Sequence, residues 1–378
     1  MAEGRSRRFL ALDSLRGFAA LGVVFFHVQG ALDRAPQPWM PNILSHLFRF
    51  GYFGVDVFFV LSGFVIAYSV RDGSWTLGYL GRFTLKRALR LDPPYWTAIA
   101  LELALIFAGL RFFPSLGTPV PSVAQIVAHL FYLQDLLGYG DISVIFWTLC
   151  YEVQFYLTLI GILVIWRMLD GRIGRQASRI TVVVIFAALF IASVAVNNGL
   201  LTGVDFGVAL SRWFEFFSGA LAWWVVAGVV PARVLIVAWL VSVVPAAGRQ
   251  SVIQFAIILA VTLTCMLSAA RPEIDRWFGW RPIQFLGAIS YSLYLYHSSI
   301  GYRVVSLAQH LAGQSLTPAL GLITWLTAVT ASIVVAVIGW RLVERPSQAL
   351  ARRVVLPRRA RAGTPGEPAY ASPTPSDA

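Results

Sequence analysis

The sequence is poor in charged residues and in cysteine. Only 13% of its 378 residues are Asp, Glu, Lys or Arg, while 58% are hydrophobic. Soluble domains usually carry about 25% charged residues. The apolar residues lie in long runs, which excludes a soluble multi-domain enzyme and indicates a polytopic membrane protein. The two cysteines, Cys150 and Cys265, fall inside such runs, so neither a disulfide framework nor a CxxC metal site is expected.

Lysine is almost absent from a chain that is nevertheless basic. Lys86 is the single lysine among 30 basic residues, and the net charge is +12. A basic balance can indicate nucleic-acid binding, but here the arginines concentrate between apolar runs. Cytoplasmic loops that face anionic lipid explain this placement, so membrane lipid and not nucleic acid is the predicted partner. The use of arginine over lysine hints at a GC-rich bacterial genome.

About ten apolar segments are long enough, or nearly so, to cross a bilayer. They lie near residues 9–29, 50–70, 94–110, 143–166, 180–196, 208–228, 232–246, 251–269, 283–302 and 318–343. If both termini are cytoplasmic, most arginines fall in the cytoplasmic loops. The predicted fold is all-α, with a cytoplasmic N-terminus (1–8), a membrane domain (9–346) and a basic, then disordered, cytoplasmic tail (347–378).

Two local features refine this prediction. Prolines, among them Pro93 and Pro94, are expected at or between segment ends, where helices stop. The stretch 122–138 has helical spacing but is short for a span, so an interfacial helix is predicted there.

The first segment carries a cation and an imidazole, Arg16 and His27. Their spacing places both side chains on nearly the same face of a helix, about 16 Å apart along its axis. Arg16 could simply be a cytoplasmic anchor and His27 an interfacial residue. Ionisable groups in membrane helices are, however, functional candidates by default.

Further ionisable residues fall at one predicted depth. With the topology above, Asp56, Glu152 and His297 share the outer leaflet with His27, whereas Arg16 lies in the inner half. A histidine held by a carboxylate is a common general base for a hydroxyl, so a pairing of His27 with Glu152 or Asp56 is predicted. Polar contact between helices is the simpler explanation, and it is the one expected for Glu102 and Glu215.

A basic cluster, Lys86, Arg87 and Arg90, follows the second segment. Lys86 or Arg87 would share a helix face with Arg90. The cluster is explained either as a cytoplasmic anchor or as a phosphate site, since guanidinium forks match phosphate oxygens. Coenzyme A would reach it from the cytoplasm. The sequence has no nucleophile elbow, Walker loop or HExxH motif, and no metal site is predicted.

Several motifs in order resemble the acyltransferase-3 family of integral membrane acyltransferases over about residues 9 to 346. They are LDSLRGFAALGVVFFHV, GYFGVDVFFVLSGFVIAYS, FTLKRALRLDPPYW, FWTLCYEVQFYL, SYSLYLYH and the terminal Glu344–Arg345–Pro346. The resemblance implies an O-acyltransferase that moves an acyl group, commonly acetyl, from acyl-coenzyme A to a hydroxyl of a carbohydrate, glycolipid or other small acceptor. Together with the many apolar segments, it also implies a multi-pass protein of the bacterial inner membrane.

The resemblance also implies roles for individual residues. The family's helix-one Arg and His correspond to Arg16 and His27, and its paired basic motif corresponds to Arg87 and Arg90. Arg16, His27 and Glu152 are then the catalytic candidates, with Asp56 and His297 as supporting polar groups. Arg16, Arg87 and Arg90 would hold acyl-coenzyme A. The alternative is a proton-coupled transporter or flippase of an anionic or glycan cargo, with buried acids and histidines as proton carriers.

Overall fold

The protein is described here by a computed structural model of residues 8–33, 40–112, 119–203, 209–243, 249–312 and 316–357. Its regular elements are helices, as the sequence predicts. They are α1 (Leu10–Leu32), α2 (Asn42–Arg49), α3 (Gly54–Val70), α4 (Leu77–Phe112), α5 (Val123–Leu130), α6 (Trp147–Ile173), α7 (Arg175–Asn197), α8 (Trp213–Val226), α9 (Ala232–Val243), α10 (Arg249–Ala270), α11 (Pro272–Trp277), α12 (Arg281–Leu311), α13 (Pro318–Gly339) and α14 (Arg345–Arg352).

Every predicted apolar segment overlaps one of these helices. Within the described residues, seven helical stretches are long and apolar enough to cross a membrane: Leu10–Leu32, Asn42–Val70, Leu77–Phe112, Trp147–Ile173, Arg175–Asn197, Val252–Ala270 and Pro318–Arg352. The helices α8 and α9, with 14 and 12 residues, are short for a span. The all-α, multi-pass architecture is confirmed, while the count of ten spans and the cytoplasmic termini remain predictions.

Two local predictions were wrong. Pro93 and Pro94 lie inside α4, which has 36 residues and begins well before them, so they do not mark a helix end. The predicted helix at 122–138 ends at Leu130, because Tyr132 adopts φ +58°. The predicted disordered tail lies mostly outside the described residues, as do residues 1–7.

Glycines bring two helix pairs into backbone contact. A Cβ on Gly17 would lie 2.9 Å from backbone atoms of α12, and one on Gly287 would collide with the backbone of Asp13. Gly63 on α3 and Gly219 on α8 are in equally close contact with each other's helix. Small residues at such crossings let membrane helices pack by direct van der Waals contact. The α1–α12 and α3–α8 pairs therefore form a rigid frame for the polar residues between them.

The described end of the chain returns to the start of α4. Lys86 Nζ donates a hydrogen bond to the carbonyl of Val354 at 3.1 Å. The backbone N–H of Ser74 donates to the carbonyl of Pro357 at 3.2 Å. Leu356 packs against the main hydrophobic core. Residues 353–357 thus brace the first turns of α4.

Candidate active site

A cavity of about 80 Å³ lies among α1, α3, α4, α6 and α12. Arg16 comes from α1, Arg87 and Arg90 from α4, and Glu152 from α6. Its remaining wall is largely apolar and aromatic, and includes Phe58. We call this space the arginine cavity. It unites three of the cations and one carboxylate that the sequence singles out.

Glu152 is bound within this cavity and not beside a histidine. Its Oε1 accepts hydrogen bonds from Arg87 at 2.6 Å and from the Ser62 hydroxyl at 3.0 Å. The Arg87 guanidinium also lies over the Tyr156 ring, 5.1 Å from its centroid. The ion pair and the aromatic contact fix Arg87 on the cavity wall. The prediction that places Glu152 at the depth of His27, apart from the arginines, is therefore wrong.

Arg16 and Arg90 have no such carboxylate partner. Among the described residues, no carboxylate oxygen lies within 4.0 Å of either guanidinium. Glu344 is within electrostatic range of both, but its Oε2 accepts from the backbone N–H and the hydroxyl of Ser292, at 3.2 and 2.6 Å. The cavity therefore contains more positive than negative charge, which suits an anionic ligand.

Glu344 reaches Ser292 from an unusual segment of backbone. Residues Trp340–Glu344 form a single π-helical turn between α13 and α14. Such turns occur frequently at functional sites, where they redirect side chains. The sequence indicates Glu344 only as part of a family motif, because helical periodicity does not reveal a π turn.

His27 and His297 form a second polar site, which we call the histidine pair. His27 Nδ1 and His297 Nε2 are 3.0 Å apart. His297 is fully buried, and its Nδ1 lies 2.8 Å from the carbonyl of Tyr294 and 3.1 Å from that of Leu293. The two helices that carry the pair are those held together by Gly17 and Gly287.

These contacts assign the protons of the neutral pair. The carbonyls near His297 Nδ1 can only accept, so His297 Nδ1 carries the proton and its Nε2 accepts. His27 Nδ1 must then donate to that Nε2, and it also lies 3.1 Å from the Val23 carbonyl. The Nε2 of His27 is left as a basic lone pair. The pair thus does what a carboxylate does for the histidine of a catalytic triad: it fixes the tautomer.

Neither predicted carboxylate is the partner of His27 in the structure. Glu152 binds Arg87, as described, and Asp56 belongs to a third group. Arg212 donates from one nitrogen to Asp56 Oδ1 at 3.1 Å and to Glu215 Oε1 at 2.8 Å. Gln254 Nε2 donates to the same two oxygens, at 2.5 and 3.1 Å. We call Asp56, Glu215, Arg212 and Gln254 the carboxylate cluster.

The carboxylate cluster links helices and adjoins no described cavity. Asp56 and Glu215 are 2% and 0% exposed, and they lie on α3 and α8. The prediction that Glu215 serves as a polar contact between helices is confirmed. So is the one for Glu102, whose Oε1 accepts from Arg303 at 2.6 Å. Sequence reasoning missed Arg212 and Gln254, which carry no motif.

The arginine cavity and the histidine pair share a wall. Tyr294 lines the cavity, and its ring centroid lies 5.9 Å from that of His297. Its hydroxyl is fixed by Thr148 Oγ1 at 2.8 Å. A ligand held by the arginines is therefore one aromatic ring away from the histidines.

The segment between α4 and α6 packs beside the same site. Ser143 and Ser298, the neighbour of His297, are joined by a hydrogen bond of 3.0 Å between their hydroxyls. In this segment burial, with a smaller contribution from Asp135, raises the pKa of Asp141 to about 7. Burial lowers the pKa of His129, whose Nε2 accepts from the N–H of Ile142. Burial therefore disfavours the charged form of both groups.

Residues 9–341 match the family model described as acyltransferase domain, acyltransferase-3. Nodulation protein 10 of Rhizobium leguminosarum bv. viciae is 26% identical over 387 aligned residues, which cover 92% of this chain and 95% of that protein. The peptidoglycan O-acetyltransferase OatA of Listeria monocytogenes is 24% identical over 90% of this chain and 56% of its own length.

A shorter match adds a third relative. The exopolysaccharide production protein ExoZ of Rhizobium meliloti is 34% identical over 131 residues, or 33% of this chain and 39% of that protein. No solved structure matches the chain.

Proposed function

The chain belongs to the acyltransferase-3 family and is a transferase enzyme of the membrane. From this premise we propose that it moves an acyl group, in the simplest case acetyl, from acyl-coenzyme A to a hydroxyl of a carbohydrate or glycolipid. The bacterial relatives favour an inner-membrane location. Two of them are named for peptidoglycan O-acetylation and exopolysaccharide production, which favours a carbohydrate acceptor here.

The shared wall between the arginine cavity and the histidine pair carries this proposal. An acyl-coenzyme A donor needs cations for its phosphates and a base near its thioester. Arg16 and Arg90, which form no salt bridge within the described part of the chain, and Arg87 would supply the cations. His27 would supply the base, because its Nε2 is not committed to His297. Tyr294 separates the two groups by a single ring.

In the proposed reaction, His27 Nε2 removes the proton from the acceptor hydroxyl. The hydroxyl oxygen attacks the thioester carbonyl, the new C–O bond forms, and the C–S bond breaks. The proton on His27 then passes to the departing thiolate of coenzyme A, so that no net charge is left. In a second route, His27 Nε2 attacks the thioester carbonyl first, and the C–S bond breaks to release the coenzyme A thiolate. The acceptor hydroxyl then attacks the acyl-imidazole, the C–N bond to His27 breaks, and the hydroxyl proton passes to the thiolate. A labelled acyl group retained on wild-type protein and absent from His27→Ala would identify that route.

His297 is proposed as a positioning residue that holds His27 in the reactive tautomer. His297→Ala removes one of the two acceptors near His27 Nδ1–H and leaves only the Val23 carbonyl, so the imidazole is held less firmly in the reactive tautomer. We expect kcat to fall while KM for acyl-coenzyme A stays unchanged, because the arginines remain. A rise in KM with unchanged kcat would contradict this role.

The decisive test follows surface glycans and glycolipids of the source cell by mass spectrometry. The gene is deleted, then restored as wild type, as His27→Ala, or as His46→Ala. His46 is an exposed histidine on α2 and serves as the matched control. We expect an acyl-sized mass to vanish on deletion and to return with wild type and His46→Ala only.

Release of coenzyme A by the purified enzyme completes this test. Transfer that survives in His27→Ala, with equal protein in the membrane, would overturn the assignment of His27. Glycans that stay acylated without the gene would exclude surface glycans as acceptors, and secreted small molecules would be tested next.

A further inference from the structure

Two aromatic rings close the arginine cavity on the side of the histidine pair. Phe58 and Tyr294 both line the cavity, and their rings meet edge to face with centroids 5.6 Å apart. Phe58 also packs against the core clusters that contain Tyr294 and the second half of α1. Tyr294 in turn contacts His297. The ring pair therefore forms the part of the cavity wall that adjoins the histidine pair.

The ring pair lies one helical turn from the charged layer of the cavity. Phe58 precedes Ser62 by four residues on α3, and Thr148 precedes Glu152 by four on α6. Ser62 and Glu152 are hydrogen-bonded to each other, so α3 and α6 lie side by side at that level. An acyl-coenzyme A whose phosphates bind at the arginines would thus direct its thioester end toward Phe58 and Tyr294.

The two rings differ in how firmly their side chains are held in place. The Tyr294 hydroxyl is held by Thr148, and its ring is 8% exposed. Phe58 has no polar atom to anchor it and is only partly buried. Tyr294 is therefore a fixed part of the wall, and the side chain of Phe58 determines how much room an acyl group has beside it.

We propose that Phe58 is the residue that sets the size of the acyl group this enzyme transfers, and that it restricts the donor to short chains such as acetyl. This inference rests on the proposed acyl-coenzyme A-dependent transfer. Each added methylene must fit against a ring that is backed by Tyr294. In an apolar pocket, one methylene discriminates by about 10- to 200-fold.

The test compares acyl donors on the full-length enzyme. Membrane vesicles from the source cell, deleted for the gene and carrying wild type or variant, receive acetyl-, propionyl-, butyryl- or hexanoyl-coenzyme A. Release of free coenzyme A is measured. We expect wild type to prefer acetyl, and Phe58→Ala to raise the butyryl-to-acetyl rate ratio by about 10-fold or more.

Val65→Ala is the matched control. Val65 lines the same cavity seven residues further along α3, beyond the charged layer. Its truncation also enlarges the cavity, but we expect the acetyl preference to remain. An equal shift in Val65→Ala would mean that cavity volume in general, and not Phe58, sets the chain length, and would overturn the proposal.

The remaining outcomes are also decisive. A Phe58→Ala enzyme that transfers acetyl with the wild-type chain-length profile would overturn the proposal, as would a wild type with no preference. If Phe58→Ala is inactive, Phe58→Leu is used, and an unchanged profile in that variant would overturn it. If wild type releases coenzyme A from no donor, the proposed function itself fails.

Discussion

The arginine cavity and the carboxylate cluster are both buried groups of charges, but their imbalances are opposite. Arg16, Arg87 and Arg90 face Glu152 around an open space, so positive charge is in excess. In the carboxylate cluster, Asp56 and Glu215 share Arg212, so negative charge is in excess. An uncompensated buried charge is costly. The cavity has room for an anion, whereas the cluster can be balanced by a single proton.

This difference distinguishes a ligand-binding site from a structural contact between helices. The two clusters are similar in sequence, where each looks like a set of ionisable residues in apolar helices. The open space beside the arginines indicates a ligand-binding site, whereas the carboxylate cluster joins α3 to α8. Exchanging charges in each cluster should therefore affect different properties of the protein.

The largest expected effect is that of Arg212→Met on stability. The change leaves two buried carboxylates without their cation, which we expect to cost about 3–5 kcal/mol of unfolding free energy. Thermal unfolding in detergent measures it, and Arg212→Lys, which keeps the charge, is the control. Adding Glu215→Gln to Arg212→Met should recover part of the loss. A stable single variant would show that the cluster is not structural.

Arg90→Met should weaken donor binding and leave stability unchanged, the reverse of Arg212→Met. It removes a cation that no carboxylate in the described residues pairs with, so the protein should be as stable as wild type. A lost hydrogen bond to a charged group is worth about 1.5–3 kcal/mol. We therefore expect KM for acyl-coenzyme A to rise by about 10- to 100-fold.

Lys86→Met is the matched control for Arg90→Met. The Lys86 ammonium does not line the cavity. Its hydrogen bond to the Val354 carbonyl is lost, but the Ser74–Pro357 hydrogen bond and the packing of Leu356 still hold residues 353–357 against α4, so KM should not change. An equal rise in both variants would mean that general positive charge, and not the cavity, binds the donor.

Glu215→Gln should be nearly silent. If one proton balances the carboxylate cluster, an amide in place of one carboxyl keeps the same net charge and shape. We expect the unfolding free energy to change by less than about 1 kcal/mol, within the range of an ordinary hydrogen bond, and transfer activity to be retained. A loss of several degrees in melting temperature would show that both carboxylates are ionised.

The last effect is a pH dependence of stability, and it concerns a carboxyl outside both clusters. Because burial raises the pKa of Asp141 to about 7, the folded protein holds its proton more tightly than the unfolded chain does. The folded state should then lose stability as the pH rises from about 4 to about 7. Asp141→Asn should flatten this part of the pH profile of thermal unfolding. An unchanged profile would place the pH dependence elsewhere.

The sequence predicted the helices well because long apolar runs have few alternatives in a membrane. It also placed Arg16 with Arg87 and Arg90, since their family motif and their topology agree. It failed for Glu152, because depth in a membrane can be counted along a helix but the neighbour that a side chain meets cannot. Glu152 lies one helical turn from Thr148, which is hydrogen-bonded to Tyr294 beside the histidines, yet its carboxylate binds Arg87.

Tertiary contacts also overrode local patterns. The helical spacing at 122–138 is real, but Tyr132 leaves the helix to stack on Tyr95, with centroids 4.7 Å apart. Its hydroxyl donates to Asp92 at 2.9 Å. A non-glycine residue keeps a positive φ only where its surroundings enforce it. Similarly, Pro93 and Pro94 do not end α4, and Thr97 Oγ1 donates to both of their carbonyls, at 3.1 and 2.8 Å.

The brace formed by residues 353–357 has a practical consequence for anyone who produces this enzyme. A protein cut at residue 346, where the sequence motifs end, would lose the carbonyls of Val354 and Pro357 that bind Lys86 and Ser74. The first turns of α4, which lead into Arg87 and Arg90, would lose their support. Affinity tags and reporter fusions therefore belong beyond Pro357, and a shortened variant with weak donor binding would report on the cut and not on the catalytic residues.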